Sequence, residues 1–360
     1  MSDFIFLDSV WKCLLTLTVS TTLVFSISLL GYRLSKRFIP NEQAKWFFNN
    51  HILFTVCALV GGPLILIQID PELAARCFDH FATSSDSYLI TRFLAGGYLV
   101  TLTIMLALDS AKLFLAAQKH RAFAKVENHQ LNEMLMKLTT HLKIKTPIEV
   151  LMNPNTPSPY VWGLFKHRIV VNSFLLNAAD EHQVSTILSH ELMHIRGNDS
   201  AWLLLSHLSR RIFFFNPLSY LFYSKHKLVV EMAADEKAIE QCGVEPKTLL
   251  QSILQMAELC SKKQDGLLQV HASQEFTEIK ERIQSMMGRR RAKIAWVYPA
   301  ISIISLVLSL TITALQTNAS VGVTKNGNES EEFMCSQVRH EKAIENLLWI
   351  ETPLNKCEIK

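Results

Sequence analysis

Charged residues are scarce in this sequence, and the shortage falls in a few long apolar segments. Lysine, arginine, aspartate and glutamate make up 19% of the 360 residues, whereas hydrophobic residues make up 49%. A soluble globular chain carries roughly 25% charged residues. Because the deficit is concentrated in runs, the composition indicates a membrane protein and excludes an ordinary soluble domain.

Several other features are missing. The net charge is only +4, and the basic residues stand beside apolar runs without forming a patch, so direct nucleic-acid binding is not expected. The seven cysteines show no CxxC or other spacing typical of metal sites. Asp3 and Asp8 stand where a signal peptide would carry basic residues, and no small-residue cleavage site follows, so a removable signal peptide is not expected.

Four apolar runs are long enough to cross the hydrocarbon core of a bilayer, which takes about 20 residues. They cover residues 10–30, 52–69, 88–115 and 293–316. We therefore predict three transmembrane helices with their loops within residues 1–118, then a domain over residues 119–292. A fourth transmembrane helix and a tail over residues 317–360 complete the predicted organisation.

Basic clusters set the expected orientation of these spans. They occupy residues 33–37, 119–121 and 289–293, whereas the loop between the second and third spans is acidic. Positive charge stays on the cytoplasmic side, so the domain over residues 119–292 is expected in the cytoplasm. The amino terminus and the tail are then extracytoplasmic. The sequence predicts a multi-pass protein of the cytoplasmic (inner) membrane.

The predicted tail is too short for a sizeable independent core. It carries Cys335 and Cys357, and Cys77 lies on the same predicted side of the membrane. Two of these cysteines could form a disulfide in an oxidising compartment. Unpaired surface cysteines are the alternative, and both interpretations stay open.

Short strands and longer helices alternate in the domain. Two β-branched segments, residues 148–151 and 168–171, predict strands, and the proline-rich stretch between them cannot be helical. Residues 157–171 could offer an edge strand to an extended peptide, although an ordinary hairpin edge is the alternative.

Two predicted helices have clear start and stop signals. Asp180 caps a helix over residues 181–196, which ends at a Gly-Asn pair. Asn216, followed by proline, opens a second helix that runs toward residue 241, with Gly243 at its C-cap.

The first of these helices contains the pattern HExxH, in the letters SHELMH at residues 189–194. Residues four apart share one face of a helix, so His190 and His194 can point at one ion. Zinc accepts neutral imidazole ligands and, in catalytic sites, activates a water at an open position. Glu191 could take a proton from that water. Because so short a pattern recurs by chance, a surface pair of histidines is the alternative.

A carboxylate pair on the second helix adds to this pattern. The letters EMAAD place Glu231 and Asp235 four residues apart, on one face. Glu231 can supply the third protein ligand that a catalytic zinc needs, and Asp235 can accept the free N–H of a ligand histidine. The alternative is a solvated acidic helix face, which the presence of HExxH disfavours.

These residues resemble the gluzincin metallopeptidases, whose third ligand is the glutamate of an ExxxD motif after HExxH. More specifically, the chain is similar to the BlaR/MecR antirepressor family of membrane metallopeptidases. The resemblance covers about residues 10–316. It rests on the pattern of spans, the letters SPYVWG at 158–163, the HELMH helix, the Asn-Pro pair at 216–217, and Glu231 with Asp235.

The resemblance implies an α-helical membrane protein with four transmembrane helices and a mainly α (α+β) gluzincin-type metallopeptidase domain. It implies Zn²⁺ as the cofactor, with His190, His194 and Glu231 as ligands. Glu191 is then the catalytic base, and Asp235 is the partner of a ligand histidine.

The function implied is that of a signal-transducing zinc metalloendopeptidase. It would cleave a cytoplasmic protein such as a transcriptional repressor, or itself, in response to an extracytoplasmic signal. The family's antibiotic sensors carry a penicillin-binding domain after the last span, for which residues 317–360 are too few, so β-lactam sensing is not expected.

The group that would stabilise a transition-state oxyanion is left open by the sequence. The letters ERI at residues 281–283 match a late helix element common in these peptidases. Five side chains are candidates: Tyr220, Tyr223, His226, His207 and Arg282.

Two other functions stay open. An HtpX-like membrane quality-control peptidase would place hydrophobic spans between the two motifs, whereas the apolar run over residues 201–223 is broken by polar residues and favours two core or interface-dipping helices. A non-catalytic sensor or scaffold would need a fourth protein ligand, as structural zinc sites have. The partners expected are the lipid bilayer, a protein or peptide substrate and, as an open question, a second copy of the chain.

Overall fold

The structure is a computed structural model that describes residues 2–36, 39–69, 85–154, 156, 158–172, 180–262, 269–287, 300 and 303. Three long helices come first: α1 (Ser2–Ser35), α2 (Asn41–Ile69) and α3 (Ser85–Arg121). They cover the first three predicted spans, so the helical character of these segments is confirmed.

One stretch among the described residues is long and apolar enough to cross a membrane, Arg92–Arg121 in α3. None of its apolar window is buried by the described residues. The other spans stay predictions. Nearly all of the span over residues 293–316 and the whole tail over residues 317–360 lie outside the described residues, as do Cys77, Cys335 and Cys357.

A small mixed sheet follows α3. It is built from β1 (Ala124–Lys125), β2 (Ile148–Met152), β3 (Tyr160–Trp162) and β4 (His167–Val171), with helix α4 (His129–His141) between the first two strands. The order is β1-β2-β4-β3, with β2 and β4 parallel and the outer strands antiparallel to their neighbours. The two predicted strands are confirmed, and β3 lies at one edge of the sheet, as the sequence suggested.

A glycine makes the tight connection from β3 to β4. Gly163 has φ +106°, and a Cβ atom there would lie 2.1 Å from the carbonyl oxygen of Lys166. Both the backbone angle and the lack of space therefore require glycine. The turn that it forms keeps β3 in register with β4.

Five helices complete the described part of the chain: α5 (Glu181–Arg196), α6 (Asp199–Ile212), α7 (Pro217–Cys242), α8 (Pro246–Lys262) and α9 (Gln269–Met287). The predicted caps are confirmed. Asp180 and Gln183 form a capping box at the start of α5, and the Asn216 side chain accepts a hydrogen bond from the Leu218 amide at the start of α7. Gly243 ends α7 with φ 67°.

The apolar run over residues 201–223 forms α6, a short turn and the first residues of α7. It therefore folds as two helices, as predicted.

At the end of α5, Asn198 has the left-handed backbone conformation, with φ 52°. Gly197 is constrained by a lack of space instead. The side chains of Lys45 and Asp199 fill the space that a side chain at position 197 would need.

Two hydrophobic cores meet on α7. The first joins the sheet, α4, α5 and α8, and takes Ala234 and Ala238 from α7. The second joins α1 and α2 to the opposite side of α7 through Phe222, Leu228 and Val229. Because α7 belongs to both cores, a change in the packing of α1 and α2 bears directly on this helix.

Replacement of Gly163 by alanine should destabilise the protein more than replacement of Gly243. Both positions carry the left-handed strain of roughly 1–2 kcal/mol, but only at position 163 does the new Cβ meet backbone within 4 Å. Thermal unfolding of the detergent-solubilised protein compares the two variants. Equal losses would show that the close approach to Lys166 does not constrain the turn.

Candidate metal centre

Helices α5 and α7 bring three candidate ligands to one point. His190 and His194 lie one turn apart on α5, and Glu231 faces them from α7. Their ligand atoms all lie within 4.8 Å of one another, the one such group among the described residues. The two Nε2 atoms are 3.2 Å apart, and the Glu231 carboxylate lies 3.6 Å from His190 Nε2 and 3.9 Å from His194 Nε2.

Each histidine has a buried carboxylate behind it. His190 Nδ1 lies 3.0 Å from Asp235 Oδ1, and His194 Nδ1 lies 2.8 Å from Asp199 Oδ2. A carboxylate at Nδ1 holds the proton on that nitrogen and leaves the lone pair on Nε2. Both lone pairs are therefore directed at the space in front of Glu231. Asp235 was predicted for this role, whereas Asp199 was not.

Arg282 from α9 binds the two carboxylates that α7 contributes to the site, Glu231 and Asp235. Its guanidinium donates two hydrogen bonds of 2.8 Å to Asp235 and lies 3.2 Å from Glu231 Oε2. Such a planar, two-pronged contact fixes the orientation of a carboxylate as well as its charge. Arg282 thus brings α9 into the site and holds the two α7 carboxylates in place.

The charges around the site favour a cation in its centre. Burial opposes the charged form of Glu231 and Asp235, but Arg282 and His190 outweigh it and hold the pKa of each carboxyl below its usual value. Burial also lowers the pKa of His190, yet Asp235 and Glu231 prevail and raise it to about 10. The electrostatic field that favours a proton on His190 equally favours a metal ion.

The donor set fits zinc. Two neutral imidazole nitrogens and one carboxylate are the ligands of many catalytic zinc sites, which keep a further position open. Nitrogen ligands of a tetrahedral zinc ion, each at about 2.0–2.1 Å from the metal, lie about 3.3 Å from one another. The observed spacing of 3.2 Å between His190 Nε2 and His194 Nε2 agrees with that value.

Glu191 is buried beside the ligands. Burial raises the pKa of its carboxyl, and the charges of His190 and His194 only partly oppose this. A carboxyl whose pKa is raised toward neutrality is better suited to accept and return a proton than one at the ordinary value. Its environment is therefore the one that a general base requires.

A lysine of α2 reaches into the same site. Lys45 is buried, and its ammonium group forms an ion pair with Asp199, whose other carboxylate oxygen faces His194. Burial favours the neutral form of both groups, but Lys45 and His194 together hold the pKa of Asp199 below its usual value. A continuous chain of contacts thus runs from α2 to a candidate metal ligand.

Of the five candidate oxyanion donors, Arg282 lies at the site, and the other four lie away from it. His226 is buried against Phe48, and burial lowers its pKa to about 3. His207 contacts Asp109 of α3. Tyr220 and Tyr223, in the first turns of α7, have the guanidinium of Arg210 over their rings.

Two residues of the site were missed by sequence reasoning. Asp199 follows the Gly-Asn pair that ends α5, where an acidic residue also reads as an ordinary helix start. Lys45 stands next to an aromatic run and in a basic loop, and reads as a topology signal. A signal for Asp199 existed, because a second ligand histidine needs a partner for its own Nδ1 as much as the first does.

The model of the BlaR1 peptidase M56 family matches residues 68–286, more than half of the chain. The chain therefore belongs to the BlaR1 peptidase M56 family, which confirms the resemblance drawn from its motifs. The family is named for a peptidase.

The chain is also similar to the methicillin resistance mecR1 proteins of Staphylococcus aureus and Staphylococcus epidermidis. Each is 27% identical over 144 residues, a match that covers 40% of this chain and 24% of the relative. The aligned region is thus about a quarter of those proteins. The alignment with the crystal structure of S. mikatae Ste24p covers 67% of this chain and 66% of the Ste24p chain. The identity is 15% and the TM-score is 0.36. A likeness so distant carries no argument.

Replacement of Lys45 by methionine should weaken zinc binding, because Asp199 would lose the cation that pairs with it. Lys45 acts on His194 only through Asp199, so the loss should be smaller than the roughly 10–100-fold that removal of a ligand histidine's direct partner typically costs. Lys237→Met is the matched control, because Lys237 of α7 forms another ion pair with α2, through Glu42 at 2.7 Å. Competition with a chelator measures both affinities. Equal affinities in the two variants would contradict a role for Lys45 in holding Asp199 and His194.

Stability of the metal-free protein should depend on the protonation of His190. Its pKa is about 10 in the folded protein against 6.5 in the unfolded chain, so its contribution is complete below pH 6.5 and disappears as pH rises toward 10. Chemical unfolding across that range, for wild type and His190→Gln, isolates this contribution. The same slope in both proteins would contradict it.

Proposed function

We propose that this chain is a zinc-dependent endopeptidase of the cytoplasmic membrane that cleaves a cytoplasmic regulatory protein in response to an extracytoplasmic signal. One observation carries the proposal. Three candidate ligands converge within 4.8 Å beside a buried glutamate, on two helices of which one also packs against α1 and α2. The first feature supports the peptidase, and the second supports its control from the membrane.

Zinc would be held by His190, His194 and Glu231, and it would supply the Lewis acid that polarises the scissile carbonyl and activates water. Glu191 would accept the proton from that water and return it to the leaving amine. Asp235 and Asp199 would keep the ligand imidazoles in one tautomer. Arg282, already bound to both α7 carboxylates, would stabilise their charge and preserve the position of Glu231.

The substrate would bind as an extended strand along β3. This strand lies at the edge of the sheet, with β4 on one side, and packs against α5, which carries HExxH. An open edge presents unpaired backbone groups with which an extended peptide can form a ladder. This position would bring the scissile bond of such a peptide near the metal centre.

Two membrane helices contact this machinery, which supports the regulatory part of the proposal. Lys45 of α2 reaches Asp199, the partner of His194. His120, at the end of α3, stacks on Trp162 of β3 at 4.0 Å and lies 2.8 Å from the Tyr160 hydroxyl. A shift of α2 would thus move the partner of a metal ligand, and a shift of α3 would move the edge strand. A transcriptional repressor, or the chain itself, is the substrate class that family membership favours.

The two other functions receive less support. Membership of the BlaR1 peptidase M56 family favours regulated proteolysis over general quality control. A structural zinc site normally has four protein ligands, whereas three converge among the described residues and a buried glutamate stands beside them. The proposal includes a peptidase domain over residues 119–292 that lies on the cytoplasmic side of the membrane. Association with a second copy is not required by it.

Replacement of Glu191 by glutamine should abolish proteolysis while zinc stays bound. General acid–base groups contribute about 10²–10⁴-fold to rate, and Gln retains the shape of the side chain. Purified protein in lipid vesicles is incubated with candidate repressor proteins, and cleavage is followed by mass spectrometry, which also detects cleavage of the chain itself.

The control is Glu181→Gln, which alters an exposed glutamate in the first turn of the same helix. This variant should cleave at the wild-type rate. Equal cleavage by Glu191→Gln and wild type would overturn the role of Glu191. Zinc content measured for every variant separates loss of the metal from loss of the base.

A further inference from the structure

The turn between α6 and α7 lies beside the candidate membrane span. We define the hairpin tip as residues 212–221. The Tyr98 hydroxyl of α3 donates a hydrogen bond of 3.0 Å to the carbonyl oxygen of Ile212, and its ring stacks on Phe214 at 5.7 Å. Tyr98 belongs to the apolar stretch Arg92–Arg121. The hairpin tip is therefore level with the interior of that stretch.

On its other side the hairpin tip packs against α1. Phe213 meets Phe25 edge to face at 6.3 Å, and Asn216 donates a hydrogen bond of 2.8 Å to the Thr22 hydroxyl. Thr22 and Phe25 fall within the predicted span over residues 10–30. The hairpin tip thus lies between two helices at positions that both assign to the membrane.

The face of the hairpin tip that no described residue covers is apolar. Phe215, Tyr220 and Leu221 are exposed, and with Phe214 and Pro217 they line one open hollow. This face adjoins α3, whose own exposed residues are apolar. They include Phe93, Leu94, Val100, Ile104 and Leu108. A continuous apolar surface of this kind marks a binding surface rather than a solvated one.

Four backbone groups of the hairpin tip find side-chain partners within the protein, which a lipid environment favours. The Ser219 hydroxyl bonds to the carbonyl oxygens of Phe213 and Asn216, at 3.0 and 2.7 Å. The Asn216 side chain accepts the amide of Leu218, and Tyr98 satisfies the carbonyl of Ile212. These bonds reduce the cost of placing the turn in an environment without water.

A charged cluster lies between α3 and the last turn of α6, beside the hairpin tip. Asp109 of α3 accepts hydrogen bonds from Arg211 at 2.6 and 2.9 Å and lies 2.9 Å from His207 Nε2. Asp109 follows Tyr98 by eleven residues, which corresponds to about 16 Å along a helix. That length is about half of the hydrocarbon core, so the cluster lies nearer the cytoplasmic end of the predicted span than the hairpin tip does.

We propose that the hairpin tip is embedded in the bilayer as a re-entrant loop, with lipid acyl chains covering Phe215, Tyr220 and Leu221. Helix α6 enters the membrane and α7 returns from it toward the metal centre. Ten residues separate Leu221 from Glu231, or about 15 Å of helix. The candidate ligand Glu231 would then lie close to the membrane surface, and its helix would be anchored in lipid.

Photocrosslinking tests this arrangement on the unmodified chain. The protein is reconstituted in phosphatidylcholine vesicles whose acyl chains carry a diazirine, and adducts are mapped by mass spectrometry after irradiation. Adducts should appear on the peptide that contains residues 212–221 and on α3. They should be absent from Phe165, which is 90% exposed at the turn from β3 to β4.

Thiol labelling supplies the second measurement. Phe215→Cys and Leu221→Cys are treated in intact vesicles with a membrane-impermeant maleimide, and the labelled peptide is quantified against Phe165→Cys. Cysteines at 215 and 221 should react at least tenfold more slowly, in proteins that retain wild-type zinc content. Fast labelling at 215 would overturn the proposal. Slow labelling without lipid adducts would also overturn it, because protein would then cover the face.

Discussion

The structure depends on a balance of buried charge around one central position. Asp199, Asp235 and Glu231 are brought close to two imidazoles, and the cations Lys45 and Arg282 lie on the outer side of these carboxylates. Buried carboxylates are costly unless each is paired. Here every pairing also orients a candidate ligand. Because the partners come from α2, α5, α6, α7 and α9, the site exists only when these helices are packed together.

Helix α7 connects this site with the membrane portion. One of its sides contributes Ala234 and Ala238 to the core of the domain, and the other contributes Phe222 and Val229 to the core shared with α1 and α2. The first turn of α2 also docks on α7, since the amide of Asn41 donates to the Glu236 carboxylate at 2.7 Å. Packed interfaces respond to small displacements as units and do not deform continuously. The packing of α1 and α2 and the position of a candidate metal ligand thus depend on the same helix.

Much of the domain was predictable because its signals are local. The caps Asp180 and Asn216, the C-terminal Gly243 and the strands over residues 148–151 and 168–171 are confirmed, since each depends on neighbours in sequence. The short strand β1 was missed, because two residues carry no period, whereas β3 lies within the stretch over residues 157–171 for which an edge strand was one of two interpretations. Ligand roles for the histidines and Glu231 stay predictions, although the structure brings all three together.

By itself, the sequence determined the helix that carries His190 and His194, the helix that carries Glu231 and Asp235, and the membership of a membrane peptidase family. Spacing along one helix is enough for that, because residues four apart share a face. Only the tertiary structure decided which side chains complete the site. Asp199, Lys45 and Arg282 come from separate helices, and Lys45 lies 154 residues before Asp199 in the chain. No periodic pattern records a contact between elements so far apart, since it forms only when their apolar faces pack.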